Sequence, residues 1–256
     1  FLTRGFGGRI AGPHLVDPAR DGFAEVGDEA LLLARAAPTV VARKRPEGAQ
    51  AIEATGASII IMDDGFQNPS LAKDLSLIAV DAGSGIGNGL VFPAGPLRAS
   101  LGFQKQRADA VVFVGEAGEK GGLPALGLPA FHAALAPASE CDWLQMPPVL
   151  AFCGIGRPQK FFDTLKAAGA TLADRRAFPD HHAYTDNDAG SLLNQARTLG
   201  AQLVTTEKDW VRLNASSGPL AELKSSARTL PVELIFSEGD RARIFAILQT
   251  IPAPQQ

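Results

Sequence analysis

Cysteine is nearly absent, with Cys141 and Cys153 the only two in 256 residues. No metal-ligand spacing surrounds them, so reduced, buried thiols in a cytosolic setting are expected. No apolar run approaches the roughly 18–20 residues that span a bilayer, and no signal-peptide pattern is visible. Charge of one sign does not accumulate either. The 24 basic residues against 27 acidic ones leave a net −3, which argues against a generally nucleic-acid-binding surface. Repeats and low-complexity tracts are missing. So is an initiating Met: Phe1-Leu2-Thr3-Arg4-Gly5 reads like the middle of a domain. An upstream segment is therefore expected, and anything it carried, a membrane anchor included, lies outside this sequence.

What remains is an ordinary globular composition, 46% hydrophobic and 20% charged, long enough for one large domain or two modest ones. The most informative stretch is Ser58–Asn68, SIIIMDDGFQN. Four apolar residues, Ile59 to Met62, run into Asp63, Asp64 and Gly65. Such a run suits a strand buried on both faces, and ligands of open parallel sheets bind beyond the carboxyl ends of such strands. Two carboxylates there suit Mg²⁺, a hard cation that prefers oxygen. Neighbouring strand residues face opposite ways, so both reach one ion only if the backbone turns between them, as Gly65 would allow. A strand-end turn with Asp capping nearby N–H groups is the plainer alternative.

Taken in order, Thr3-Arg4-Gly5-Phe6-Gly7-Gly8-Arg9 is a glycine-rich loop, either a flexible connection or a phosphate-gripping one. Asp28 is placed as the N-cap of a helix Ala30–Ala37 stopped by Pro38, with Glu29 in its first turn. Thr39–Arg43 predicts a strand, Pro46–Thr55 a helix, and the following 58–64 strand completes a parallel βαβ unit. That unit sets Arg43, Lys44 and Arg45 at the sheet end that carries Asp63 and Asp64. Leu75–Asp81 predicts another buried strand. The glycines after it open no helix, because Pro93 and Pro96 forbid one, and a long functional loop ending at Arg98 is expected instead. Ala108–Gly115 is the next strand.

Residues Glu116–Pro129 turn to Gly, Pro and Lys and read as a linker. Beyond it the pattern predicts strands at Ala130–Ala136, Val149–Gly154, Gln202–Thr205 and Pro231–Phe236. Helices are predicted at Pro158–Ala168, Asp188–Leu199 and Arg241–Ile251, the last amphipathic. Phe178-Pro179-Asp180-His181-His182 reads as a loop. Two adjacent histidines without a further ligand make no zinc site, but a loop histidine beside Asp could act as an acid or base or orient another carboxylate. Thr206 and Asp209 resemble a capping box.

Together these stretches resemble the tetraacyldisaccharide 4′-kinase family across almost the whole chain. The resemblance rests on Thr3–Gly8, Val26-Gly27-Asp28-Glu29, Met62–Asn68, Pro93–Arg98, Phe178–His182 and Thr205–Asp209. It implies an α/β fold with a P-loop-kinase-like, mostly parallel sheet and a second, smaller α/β domain joined by a β-ribbon. Residues 1–128 would form the kinase core, with 237–256 packing back on it, and 129–236 the smaller domain. It implies transfer of the γ-phosphate of ATP to the 4′-hydroxyl of an acylated glucosamine disaccharide 1-phosphate, at the cytoplasmic face of the bacterial inner membrane. Contact with that membrane surface would be peripheral or through the upstream segment. Asp28 would take the hydroxyl proton with support from His181. Glu29, Asp63 and Asp64 would serve Mg²⁺, and Arg4, Arg45, Gln67 and Arg98 would line the site.

Two departures stand out. The family's G-x-x-x-x-G-K-[ST] loop, which precedes the Arg4 motif, is not in this sequence, and Ala99 stands where family members commonly carry Glu after Pro-Leu-Arg. Metal carboxylates, cationic clamps and a base near the acceptor are nevertheless what phosphoryl transfer asks of a protein. Two rivals remain open at this level: a P-loop kinase or ligase for a soluble metabolite, and a non-catalytic nucleotide-binding protein.

Overall fold

The computed structural model describes residues 1–115, 126–138 and 141–251. Most of the expected linker, 116–125, lies outside them. By their contacts the residues gather into two units, Phe1–Gly65 with Pro137–Pro231 and Phe66–Ala136 with Val232–Gln256. The chain therefore passes between units near residues 65, 136 and 231, where the sequence reading drew its divisions after 128 and 236.

The first unit is organised around the strand Val149–Cys153, every residue of which is buried. Period-two alternation sends Leu150 and Phe152 into one apolar cluster with Leu192, Leu203 and Leu213, and Val149, Ala151 and Cys153 into another with Phe161, Phe162 and Leu165. Helix Pro158–Ala167 supplies Phe161, Phe162 and Leu165, and helix Asp186–Leu199 supplies Leu192. The strand sits inside a four-stranded parallel sheet ordered Arg228–Thr229, Gln202–Thr205, Val149–Cys153, Leu172–Ala177. The buried Cys153 thiol is pushed up to about 12, first by burial and then by the Asp209 charge. Cys141 is half-buried, and both cysteines are free.

A second, small sheet in the same unit places Leu2–Thr3 between Val40–Val41, its parallel partner, and a single parallel bridge to Met62. His14–Leu15 closes the other side antiparallel. Helix Arg45–Glu53 makes the crossover, with Pro46 in its first turn. Ser58–Asp64 is thus not a strand buried on both faces. Among the described residues its backbone pairs with Leu2 alone, which donates to Ile61 and accepts from the Asp63 N–H, and Ile59 and Ile61 remain 66% and 58% exposed. It is an edge, and the unbroken apolar run that signals an interior strand here faces outward.

The second unit holds a sheet ordered Val232–Phe236, Ala130–Pro137, Ala110–Val114, Leu77–Asp81, the last three strands parallel. Ala110–Val114 is its buried member. Leu77–Asp81 is again an edge, with only Val80 buried, rather than the buried strand expected. Helix Glu238–Leu248 buries none of its residues, so the amphipathic pattern expected of it finds no full partner. Residues 83–98 hold no helix and close on a bridge between Val91 and Leu97.

Candidate functional site

The glycine-rich loop and the start of helix Asp28–Ala36 are built against each other. Gly27 is the N-cap, with φ +88°, and a side chain there would lie 2.4 Å from the Phe6 carbonyl. Only glycine serves both needs. Asp28 is therefore not the cap but the first helical residue, 2% exposed. Its Oδ1 accepts from the N–H of Glu29 at 2.9 Å.

Its Oδ2 faces two side chains from far along the chain. Nε of Arg212 donates to it at 2.7 Å, with Nη2 against the same oxygen but in no directed hydrogen bond. Nδ1 of His181 lies 3.3 Å away. The His181 ring also packs against Phe6, centroids 5.2 Å apart. Burial alone would raise the Asp28 carboxyl, but the Arg212 charge and hydrogen bond, with smaller help from His181 and Lys208, hold it below the ordinary range. At neutral pH this is a carboxylate, able to accept a proton.

Arg212 and Asp209 come from helix Glu207–Arg212, which packs Val211 and Trp210 against Val26, Leu31 and Val41. Thr206 caps that helix by accepting from the Asp209 N–H. The Asp209 carboxylate, however, turns inward. It accepts from the N–H of Gly154, from the hydroxyls of Tyr184 and Thr206, and from Nη1 of Arg212. Burial and then Asp209 push the Tyr184 phenol far above its ordinary range, which keeps it a donor. Lys208, on the same helix, pairs with Glu29 at 2.7 Å.

A few residues away along the small sheet, Thr3 donates to Asp63 Oδ2 at 3.0 Å. Arg45, 4% exposed, donates to the Ala42 carbonyl and to the Asp63 carbonyl. Burial lowers the Arg45 guanidinium, with Asp63 and Asp64 acting the other way. Burial raises the Asp63 carboxyl, the Thr3 hydrogen bond opposes this, and the Glu29 and Asp64 charges raise it further. The turn separating the two carboxylates is made by Asp64 itself, at φ +46°, a conformation Asp tolerates better than most residues. Among the described residues no three His, Cys, Asp or Glu side chains converge closely enough to hold an ion alone. Carboxylates whose mutual repulsion already raises one of them do fit a hard cation that keeps water and phosphate among its ligands.

Of the residues singled out in sequence, Arg4, Asp28, Glu29, Arg45, Asp63, Asp64 and His181 belong to the first unit, and Gln67 and Arg98, both exposed, to the second. Of the basic turn only Arg45 is buried; Arg43 and Lys44 are exposed. His182 has a separate task, stacking on Phe178 and meeting Asp188 Oδ2 at 3.1 Å. Arg212, Lys208, Tyr184 and Phe6 were not singled out as site residues. The spacing of Asp209 and Arg212, one helical turn apart after a Thr cap, was the available signal.

A family model described as tetraacyldisaccharide-1-P 4′-kinase matches residues 1–251. The tetraacyldisaccharide 4′-kinase of Methylobacterium nodulans is 55% identical over 260 residues, covering 99% of this chain and 75% of that protein. The enzyme of the same name from Rhodopseudomonas palustris is 48% identical over 251 residues, covering 96% and 73%. The solved structure of the "apo" form of LpxK from Aquifex aeolicus in complex with ATP is similar in fold, with a TM-score of 0.70, 24% identity, and coverage of 96% of this chain and 78% of that one. The P-loop-kinase-like α/β architecture expected from the sequence is thus the one observed. The chain belongs to the tetraacyldisaccharide-1-P 4′-kinase family.

Proposed function

We propose that Asp28 accepts the proton of the attacking sugar hydroxyl and that His181 works with it as one acid–base pair. The protein is an ATP-dependent kinase of lipid A biosynthesis, a phosphotransferase that acts on the 4′-hydroxyl of a disaccharide precursor. The observation that carries the assignment is the 3.3 Å approach of His181 Nδ1 to the buried, ionised Asp28. A carboxylate held charged in a buried pocket beside an imidazole is suited to receiving and passing on a proton.

The remaining roles follow from charge. Glu29, Asp63 and Asp64 are the carboxylates offered to Mg²⁺, which when bound neutralises phosphate oxygens. Lys208 pairs with Glu29 and moderates that acidic group. Arg45 steadies the backbone of Asp63, and Arg4, the charge that opposes it, is an exposed candidate phosphate contact. Gln67 and Arg98 are assigned to the nucleotide on their motifs alone. The acceptor in this reading is the tetraacylated disaccharide 1-phosphate itself, taken from the cytoplasmic face of the inner membrane by a peripheral contact. Among the described residues no helix is long and apolar enough to cross a membrane.

The test is phosphoryl transfer with purified protein, ATP and Mg²⁺, offering the acylated disaccharide 1-phosphate in mixed micelles beside its deacylated counterpart. The reading expects a product heavier by one phosphate from the acylated acceptor and little from the deacylated one. Equal use of both would move the assignment to a soluble sugar phosphate.

A further inference from the structure

The proton-transfer reading leaves the buried Arg212 without a task. The Arg212 side chain is 1% exposed, and its nitrogens run to three segments of chain. Nε donates to Asp28 Oδ2 at 2.7 Å, while Nη1 donates to the Gly154 carbonyl at 2.7 Å and to Asp209 Oδ1 at 3.0 Å. The Gly154 carbonyl is shared, for it also accepts the backbone N–H of His181 at 3.1 Å. One guanidinium thus grips the Asp28 carboxylate directly and the His181 backbone through a single intervening carbonyl.

We propose that Arg212 is a positioning residue, with Gly154 and Asp209 as its anchor, that holds the Asp28 carboxylate and the His181 imidazole in register for proton transfer. This role rests on the reading of Asp28 and His181 as the acid–base pair.

Two further observations support it. His181 is one of only two non-glycine residues described with positive φ, at +56°. Such a conformation persists where the surroundings over-determine it, and it recurs at functional sites. Gly154 stands where a side chain would lie 3.0 Å from the Pro179 carbonyl and from His182 Cβ, and 3.2 Å from Asp209 Oδ1. The loop bearing His181 is therefore seated directly on the atom that Arg212 holds. Asp209 accepts from Gly154 and Tyr184 outside its own helix as well as from Thr206 and Arg212 within it, which resists a shift to follow a displaced partner. Lysine could supply the charge of Arg212 but not its planar fork, so it could not serve Asp28 and Gly154 at once.

A merely structural ion pair would make the same contacts, and kinetics separates the two. Arg212→Lys and Gly154→Ala are each made alone and on a His181→Ala background, with folding checked by thermal melting. Arg212→Lys is expected to lower kcat by about 10–10²-fold, the scale of a misplacement near 1 Å, with KM for both substrates within about threefold. On the His181→Ala background the same substitution should cost less than about threefold, because members of one unit are non-additive. Gly154→Ala leaves every charge in place and should behave alike, so it carries the test if Arg212→Lys does not fold. An equal loss in both backgrounds, or an unchanged kcat, overturns the positioning role. Unchanged kcat in Asp28→Ala and His181→Ala would instead sink the acid–base pair itself, and this role with it.

Discussion

Nε of Arg212 sits 2.7 Å from Oδ2 of Asp28, joining residues 184 positions apart in the chain. The pair is buried at both ends, at 3% exposure for each residue or less, and the Asp28 carboxylate also faces His181. A buried charge so placed is expensive to strip of its partner and sensitive to acid, and both properties can be measured.

Asp28→Ala is expected to lower kcat by at least about 10²–10⁴-fold, the usual contribution of one acid–base group, while ATP affinity stays within a few-fold. A group used only in the transition state changes turnover and not ground-state binding. Steady-state kinetics with equilibrium nucleotide binding checks this; near-normal turnover would leave Asp28 a structural partner of Arg212.

Acid should destabilise the protein through the same residue. The Asp28 carboxyl is held below its ordinary value in the folded state, so the unfolded chain binds its proton first. Its contribution is then complete above about pH 5 and is lost as pH falls through about 4 and below, toward the folded value. Urea midpoints of the wild type between pH 6 and 3 should fall more steeply than those of Asp28→Asn. Parallel slopes would contradict the assignment.

Asp63 carries the opposite sign. Its carboxyl is raised in the folded state, first by burial, so its favourable share is present below the unfolded value near pH 4 and lost as pH rises. Asp63→Asn should therefore melt higher than wild type at pH 7 without metal, while needing much more Mg²⁺ for activity. Such stability gained at the expense of function is characteristic of strained sites. A Mg²⁺ titration identical to wild type would remove Asp63 and its neighbours from the metal.

The parts of this arrangement differ in how readable they are from sequence. Val149–Cys153, Gln202–Thr205 and the flanking helices are marked by short apolar runs, a Pro start and Gly stops, and they form within a residue or two of the expected bounds. Ile59–Met62 carries an equally strong apolar signal yet lies at an edge with two isoleucines exposed, because periodicity reports a strand's affinity for cover and not whether cover is present. Gly27 rather than Asp28 caps its helix, since the cap is chosen by the close approach of Phe6. Arg212 is hard to read from sequence for a different reason. Its spacing from Asp209 suggests one partner, but Asp28 and Gly154 lie far off in sequence, and that spacing alone does not show that the arginine is buried. His181 and His182 are neighbours in sequence, but one, at positive φ, faces Asp28 and the other Asp188.

The most direct measurement is therefore a double-mutant cycle in kcat between Asp28 and His181, with His182→Ala as the adjacent comparison. The account predicts a loss of about 10²–10⁴-fold for His181→Ala, a far smaller one for His182→Ala, and little further loss when His181→Ala is added to Asp28→Ala. Full multiplication of the two single losses in the double variant, or equal losses at His181 and His182, would contradict it.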